Sequence, residues 1–211
     1  MNFKDIIKIT LNLIVIYIIG GLLLAGVYAK TSPIIFQKSK EEKELALKQM
    51  ISEAQTIIKP ENGDWSIDFN NKPKHVEYFE AKTDNQIIGY VVESYGKGYS
   101  SFINILVAVD KDLKITKMNI LQHAETPGLG DGIENPSFKD QFIGKDLDHL
   151  VLVKGEANGN IAAITGATIS SRAVTKGVRA GVEMLTKVVG QHSNGLSEQT
   201  IGVSGVNNEQ H

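Results

Sequence analysis

The 211-residue chain contains no cysteine. That absence excludes disulfides, thiolate catalysis, cysteine-ligated iron–sulfur clusters and thioether-linked haem. If the chain moves electrons, its carrier is an organic cofactor or a metal held without thiolates. An excess of charge is missing too: 22 Lys and Arg stand against 24 Asp and Glu, with no basic stripe. Nothing in that balance draws nucleic acid. The short catalytic signatures are absent as well. Ser100, Ser101, Ser170 and Ser171 have no Gly-x-Ser-x-Gly elbow around them, and there is no Walker or Rossmann glycine loop. His123 and Glu125 raise metal ligation, but His75, His149, His192 and His211 show no ligand spacing such as HExxH. No metal site and no catalytic side-chain set is expected.

What is present begins with an apolar run over residues 11–29, about the length that crosses a bilayer as a helix. Asn12 is its one strongly polar residue and lies near an end. Tyr17 and Tyr28 suit the interfaces, and Lys4 and Lys8 before the run favour a cytoplasmic N-terminus. A cleaved signal peptide is the rival, because Val27 and Ala29 resemble small-residue cleavage positions. The run exceeds the usual signal length, so an uncleaved anchor is preferred. The expected organisation is a membrane anchor at 1–30 (helix about 9–29), an extracytoplasmic domain at 31–189, and a polar, disordered tail at 190–211 rich in Gly, Ser, Asn and Gln.

Between anchor and tail the pattern predicts an α+β domain. Residues 39–58 read as an amphipathic helix with Leu45, Leu47, Met50, Ile51, Ala54 and Ile58 on its apolar face. A turn-rich break follows at 60–64. Strand-like runs occupy 75–81, 87–95, 102–109 and 113–122, joined by hairpin-length connections, which predicts an antiparallel sheet flanked by helices. A loop at 123–135, a short helix at 137–143, a strand at 150–154 and a turn at 156–160 come next, and 161–164 leads into the final motif. The last element is a helix from about Ser170, marked by Val174, Val178, Val182, Leu185 and Val189.

Two loops carry the chemistry. In the first, His123, Glu125, Thr126, Gly128, Leu129 and Gly130 surround Pro127; its glycines permit backbone that presses N–H groups against a flat ligand or a phosphate. The alternative is a tight turn with Glu125 and Asp131 solvated. In the second, Thr165, Gly166, Ala167, Thr168 and Ser170 lead into a helix, whose start leaves N–H groups unpaired and favours a phosphate. The alternative is that Thr168 only caps that helix.

Together these segments resemble a known family. Gly98-Tyr99-Ser100-Ser101, the His-x-Glu-Thr-Pro-Gly-Leu-Gly run from His123 to Gly130, Gln141-Phe142-Ile143-Gly144-Lys145, and Thr165-Gly166-Ala167-Thr168 with Ile169-Ser170-Ser171-Arg172 resemble the FMN-binding domain in the G component of Rnf electron-transport complexes. The C component of sodium-pumping NADH:quinone reductases shares this domain. The resemblance implies FMN joined covalently, through its phosphate, to Thr168 by a separate flavin transferase. It further implies a flavin relay between reduced ferredoxin and NAD on the extracytoplasmic side of the cell membrane, with membrane and iron–sulfur subunits of the complex as partners. Thr165, Gly166, Ala167 and Ser170 would line the attachment, and the 125–130 loop, His123 and Tyr99 would neighbour the flavin. Thr165 replaces the family's usual Ser, and Ala162 stands where Asp is common. The competing expectations are the equivalent quinone-reductase component and a non-redox anchored adaptor.

Overall fold

The computed structural model describes residues 3–68, 73–155 and 157–201. Its first element, α1, runs unbroken over Phe3–Met50. The chain divides into two compact units, Met1–Leu45 and Ala46–His211. Within the first, the apolar run is exposed along its length, and α1 is long and apolar enough to cross a membrane. Pro33 lies inside the helix, where it lacks the N–H that would reach back one turn.

The second unit is built on a meander: β3 (Pro73–Thr83), β4 (Gln86–Lys97), β5 (Phe102–Asp110) and β6 (Ile115–Gln122), all antiparallel neighbours. Each hairpin forms where alternating Val, Ile and aromatic residues meet a polar turn. Asp84 and Asn85 close the first hairpin with φ of 49° and 65°, a conformation that short polar residues tolerate. The outer edge of β3 is shared between two short strands. β1 (Thr56–Ile58) pairs with residues 80–82, and β2 (Asp64–Asp68) pairs with residues 73–77.

Three expectations need correction here. The amphipathic helix ends at Met50 rather than near Ile58. Leu47 and Met50 still pack on the sheet with Phe79, Val91 and Leu106, but Leu45 and Ile58 are exposed. Beyond the helix, the open edge of β3 offers backbone partners, and these override the helical period. The break at 60–64 is followed by an edge strand, β2, that its turn residues concealed. Finally, the last helix, α3, spans Thr168–Ile201, so the chain stays helical past residue 190. A single interior Gly costs a helix only about 1 kcal/mol, and propagation adds one bond per residue. Residues 202–211 of the expected tail lie outside the described residues.

α3 covers the other face of the sheet. Val174, Val178, Val182 and Leu185 are fully buried against Val92, Ile103, Ile105 and Val107. Each buried aliphatic side chain contributes about 1.5–3 kcal/mol. The approach is unusually close, because glycines stand at the crossing. Gly177 of α3 lies over Gly96 and Tyr95 of β4, and Gly181 lies over Ser94 and Val92. The Ser94 hydroxyl donates to the Gly177 carbonyl at 2.8 Å, a bond buried in that seam. Thus α3 is fixed in both depth and register, and its first turn is held over the end of β4.

Candidate functional site

The first turn of α3 is reached through two paired short strands, β7 (Leu152–Val153) and β8 (Ile161–Ala162). The Ala162 N–H donates to Gln141 Oε1 at 2.7 Å. The backbone of this position is thereby tied to the 140–142 turn. Gly166 then turns the chain with φ of +80°, and a side chain there would meet Leu129 Cδ1 at 3.0 Å. Ser171 N–H donates to the Ala167 carbonyl at 2.9 Å, which makes Ala167 the residue at the cap position and Thr168 the first helical residue. Ala167 has no side-chain acceptor, so no side chain from that position caps α3. The Ser171 hydroxyl is spent on stitching the turn, donating to the Ala167 carbonyl and accepting from Ile164 N–H. The half-buried Thr168 hydroxyl makes no hydrogen bond within the described residues. The capping alternative for Thr168 does not describe this geometry.

The 123–130 loop differs from its expectation in a useful way. The Thr126 carbonyl accepts from the N–H groups of Leu129, Gly130 and Asp131, and the Asp131 carboxylate accepts from Gly128 N–H at 2.9 Å. These four amides are committed inside the loop, so they do not press on a ligand. Nor is the loop a plain solvated turn. Glu125 is 5% exposed, and its carboxylate accepts from Tyr99 N–H and Ser100 N–H, each at 3.1 Å, and from the Ser170 hydroxyl. Burial pushes this carboxyl up. The bond from Ser170 and those from the backbone of Tyr99, Ser100 and Ser101 outweigh burial and hold it below its usual range. A depressed folded value adds stability that is present above the unfolded value and lost as pH falls through the folded one. Denaturant melts of wild type and Glu125→Gln should differ by a constant amount from neutrality down to about the ordinary value of 4.5, then converge in more acid solution. A difference that grows on acidification would contradict the assignment.

Around these groups lies a cleft of about 450 Å³. Tyr99, Glu125, Thr126, Leu129, Gly130, Gly166, Ala167, Thr168 and Ser170 line it, so nine of the residues singled out in the sequence converge. Ile169 joins them without having been singled out as a site residue; its only sequence signal is an apolar side chain beside Thr168, and it is 50% exposed. Thr165, Gly128 and His123 do not line the cleft. His123 supports the loop instead: its Nδ1 accepts from Glu125 N–H at 3.1 Å, and Nε2 lies 2.9 Å from Glu134 Oε1. That pairing puts the ring proton on Nε2.

Two chemically different surfaces share the cleft. The amides of Thr168, Ile169 and Ser170 have no acceptor one turn back within α3, and the helix dipole favours an anion. Tyr99, Leu129 and Ile169 add exposed side-chain surface, largely apolar. Among the described residues, no His, Lys, Arg or Cys lines the cleft. The Ser170–Glu125 pair is buried, and its carboxylate is a weaker base than an ordinary one, so it does not make a nucleophile and base. The arrangement can take an anionic group at open amides, beside a hydroxyl that no described residue bonds and exposed apolar side chains.

Away from the cleft, His75 joins Asp64 and Glu77 to form a group with metal-ligand atoms within 4.8 Å of one another. The Lys59 ammonium already bonds both carboxylates, at 2.6 and 2.7 Å, which accounts for the cluster without a metal.

Comparison with known proteins gives the family. Residues 98–183 match the FMN-binding domain family. The G component of the proton-translocating ferredoxin:NAD(+) oxidoreductase complex of Clostridium ljungdahlii is 38% identical over 188 residues, which is 89% of this chain and 95% of that one. The G component of the ion-translocating oxidoreductase complex of Methanosarcina acetivorans is 30% identical over 87% of this chain and 96% of its own length. The crystal structure of the C component of Na(+)-translocating NADH-quinone reductase from Parabacteroides distasonis shares the fold, with a TM-score of 0.50, 21% identity, and coverage of 70% of this chain and 92% of that one.

Proposed function

The chain belongs to the family of G components of ion-translocating ferredoxin:NAD(+) oxidoreductase complexes, and from that premise we propose that it is the FMN-carrying electron-transfer subunit of such a complex, with its flavin linked by a phosphodiester to Thr168. The carrying observation is the Thr168 hydroxyl, which makes no hydrogen bond within the described residues and stands on the first residue of a helix that no side chain caps from the preceding position. A phosphodiester at that oxygen places its charge beside the free amides of α3. FMN, when bound, supplies the electron-transfer chemistry. The residues of this chain hold it. Gly166 lets the backbone approach, Leu129, Ile169 and Tyr99 offer apolar surface to the ring system, and Glu125 fixes the wall behind them. A separate flavin transferase makes the linkage.

The apolar part of α1 anchors the domain in the cell membrane as a single pass. Lys4 and Lys8 hold the N-terminus in the cytoplasm, and the flavin domain stands on the extracytoplasmic side among the membrane and iron–sulfur subunits of the complex. Without cysteine, the chain itself carries no cluster, which leaves the flavin as its own redox group. The test uses chain made in cells that contain the transferase. After denaturing electrophoresis, flavin fluorescence should remain with the polypeptide, and peptide mass spectrometry should find the added flavin mononucleotide on the peptide containing Thr168. Fluorescence released to the dye front would refute the covalent linkage and leave an FMN held by contacts alone.

A further inference from the structure

The Glu125 carboxylate is encased more tightly than a loop turn requires. Three segments meet on it: the Gly98–Ser101 turn, its own loop and the first turn of α3. At two of those contacts the chain has glycine, and both glycines are spacers. A side chain at Gly98 would come within 2.8 Å of Glu125 Cδ; one at Gly130 would come within 2.8 Å of Glu125 Cβ and 3.0 Å of the Ser170 hydroxyl oxygen. Among the described residues the charge is met by dipoles, from the backbone of Tyr99, Ser100 and Ser101 and from the Ser170 hydroxyl, with no cation among those lining the cleft. Its partner Ser170 is two residues from Thr168, and Glu125 and Thr168 line the same cleft.

We propose that Glu125 is a positioning residue whose fixed negative charge lowers the reduction potential of the group held at Thr168. This rests on the flavin reading above. Adding an electron beside a buried anion that no cation neutralises is unfavourable, and the burial of Glu125 reduces the screening of its charge. The donors around Glu125 set how much of its charge is felt in the cleft, so the Ser170 hydroxyl acts through Glu125.

Redox titration of the flavin-loaded full chain, followed by flavin absorbance, tests this with two variants whose effects have opposite sign. Glu125→Gln keeps the shape and removes the charge, and it should move the midpoint to a more positive value. Ser170→Ala removes a compensating dipole and keeps the charge, and it should move the midpoint to a more negative value. A purely structural role would move both variants the same way or neither, and either result would overturn the proposal. If Glu125→Gln does not accumulate as folded protein, Ser170→Ala decides alone, and an unchanged or more positive midpoint rejects the charge effect. A wild-type chain that carries no flavin at all fails the functional reading instead, so the two failures are distinguishable.

Discussion

Thr168→Val is expected to remove flavin from the denatured polypeptide down to background while leaving the fold intact. Valine matches threonine in shape and lacks only the hydroxyl. That hydroxyl makes no hydrogen bond within the described residues, so its loss leaves no buried partner there unsatisfied. A substitution of this kind stays within about 0.5 kcal/mol, or roughly 2 °C in melting temperature for a domain of this size. Thr168→Ser, which keeps an oxygen at the same branch point, should retain attachment. Thr165→Val should also retain it, because Thr165 lies outside the cleft lining. Fluorescence on denaturing gels with matched melting curves makes the measurement. Full-level flavin on the valine variant would sink the assignment of Thr168.

The largest structural loss is expected at Gly96. A methyl group there would sit 2.5 Å from the carbonyl carbon of Ala173 and closer still to its oxygen. The obstacle is helix backbone, which cannot swing aside as a side chain does, so α3 must lift from β4. Overpacking ordinarily costs about 1–3 kcal/mol, and rigid obstruction belongs at or above the top of that range. Against a total stability of about 5–15 kcal/mol, Gly96→Ala should lower the melting temperature by about 6–12 °C or more. Gly181→Ala, whose methyl would meet Ser94 Cβ at 3.1 Å and Val92 Cγ1 at 3.2 Å, should cost less because a shift of a few tenths of an ångström relieves contacts of that length. Flavin loading should fall with Gly96→Ala too, since Ala173 lies within two turns of Thr168. Equal melting temperatures for Gly96→Ala and wild type would refute the close crossing.

Much of this architecture was legible in the residues, for physical reasons that also mark where legibility stopped. The four meander strands alternate because one face packs on α3 while the pleat fixes the period, and their polar turns punctuate them. The α3 stripe of Val174, Val178, Val182 and Leu185 is visible because a one-sided helix must repeat near 3.6. Both site motifs were legible as glycine-rich interruptions of those periods. The end of α1 was not. Ile51, Ala54 and Ile58 continue a helical period that the open edge of β3 overrides, and a window along the chain cannot see a partner strand. β2 was hidden for the same reason. Whether Thr168 caps or begins its helix turns on a shift of a residue or two, which hydroxyl spacing cannot resolve. The burial of Glu125 depends on Gly98 and Ser170, 27 residues before it and 45 after it, and no local pattern records such a meeting.

The spent amides of the 126–131 turn give the cleft a heading. The Thr126 carbonyl and the Asp131 carboxylate absorb the donors on that wall, and the Glu125 carboxylate stands behind them. The start of α3 keeps the amides of Thr168, Ile169 and Ser170 open, so a molecule with a charged tip finds its donors beside Thr168 rather than among the amides of that turn. A single hydroxyl there is enough to mark where such a tip is joined.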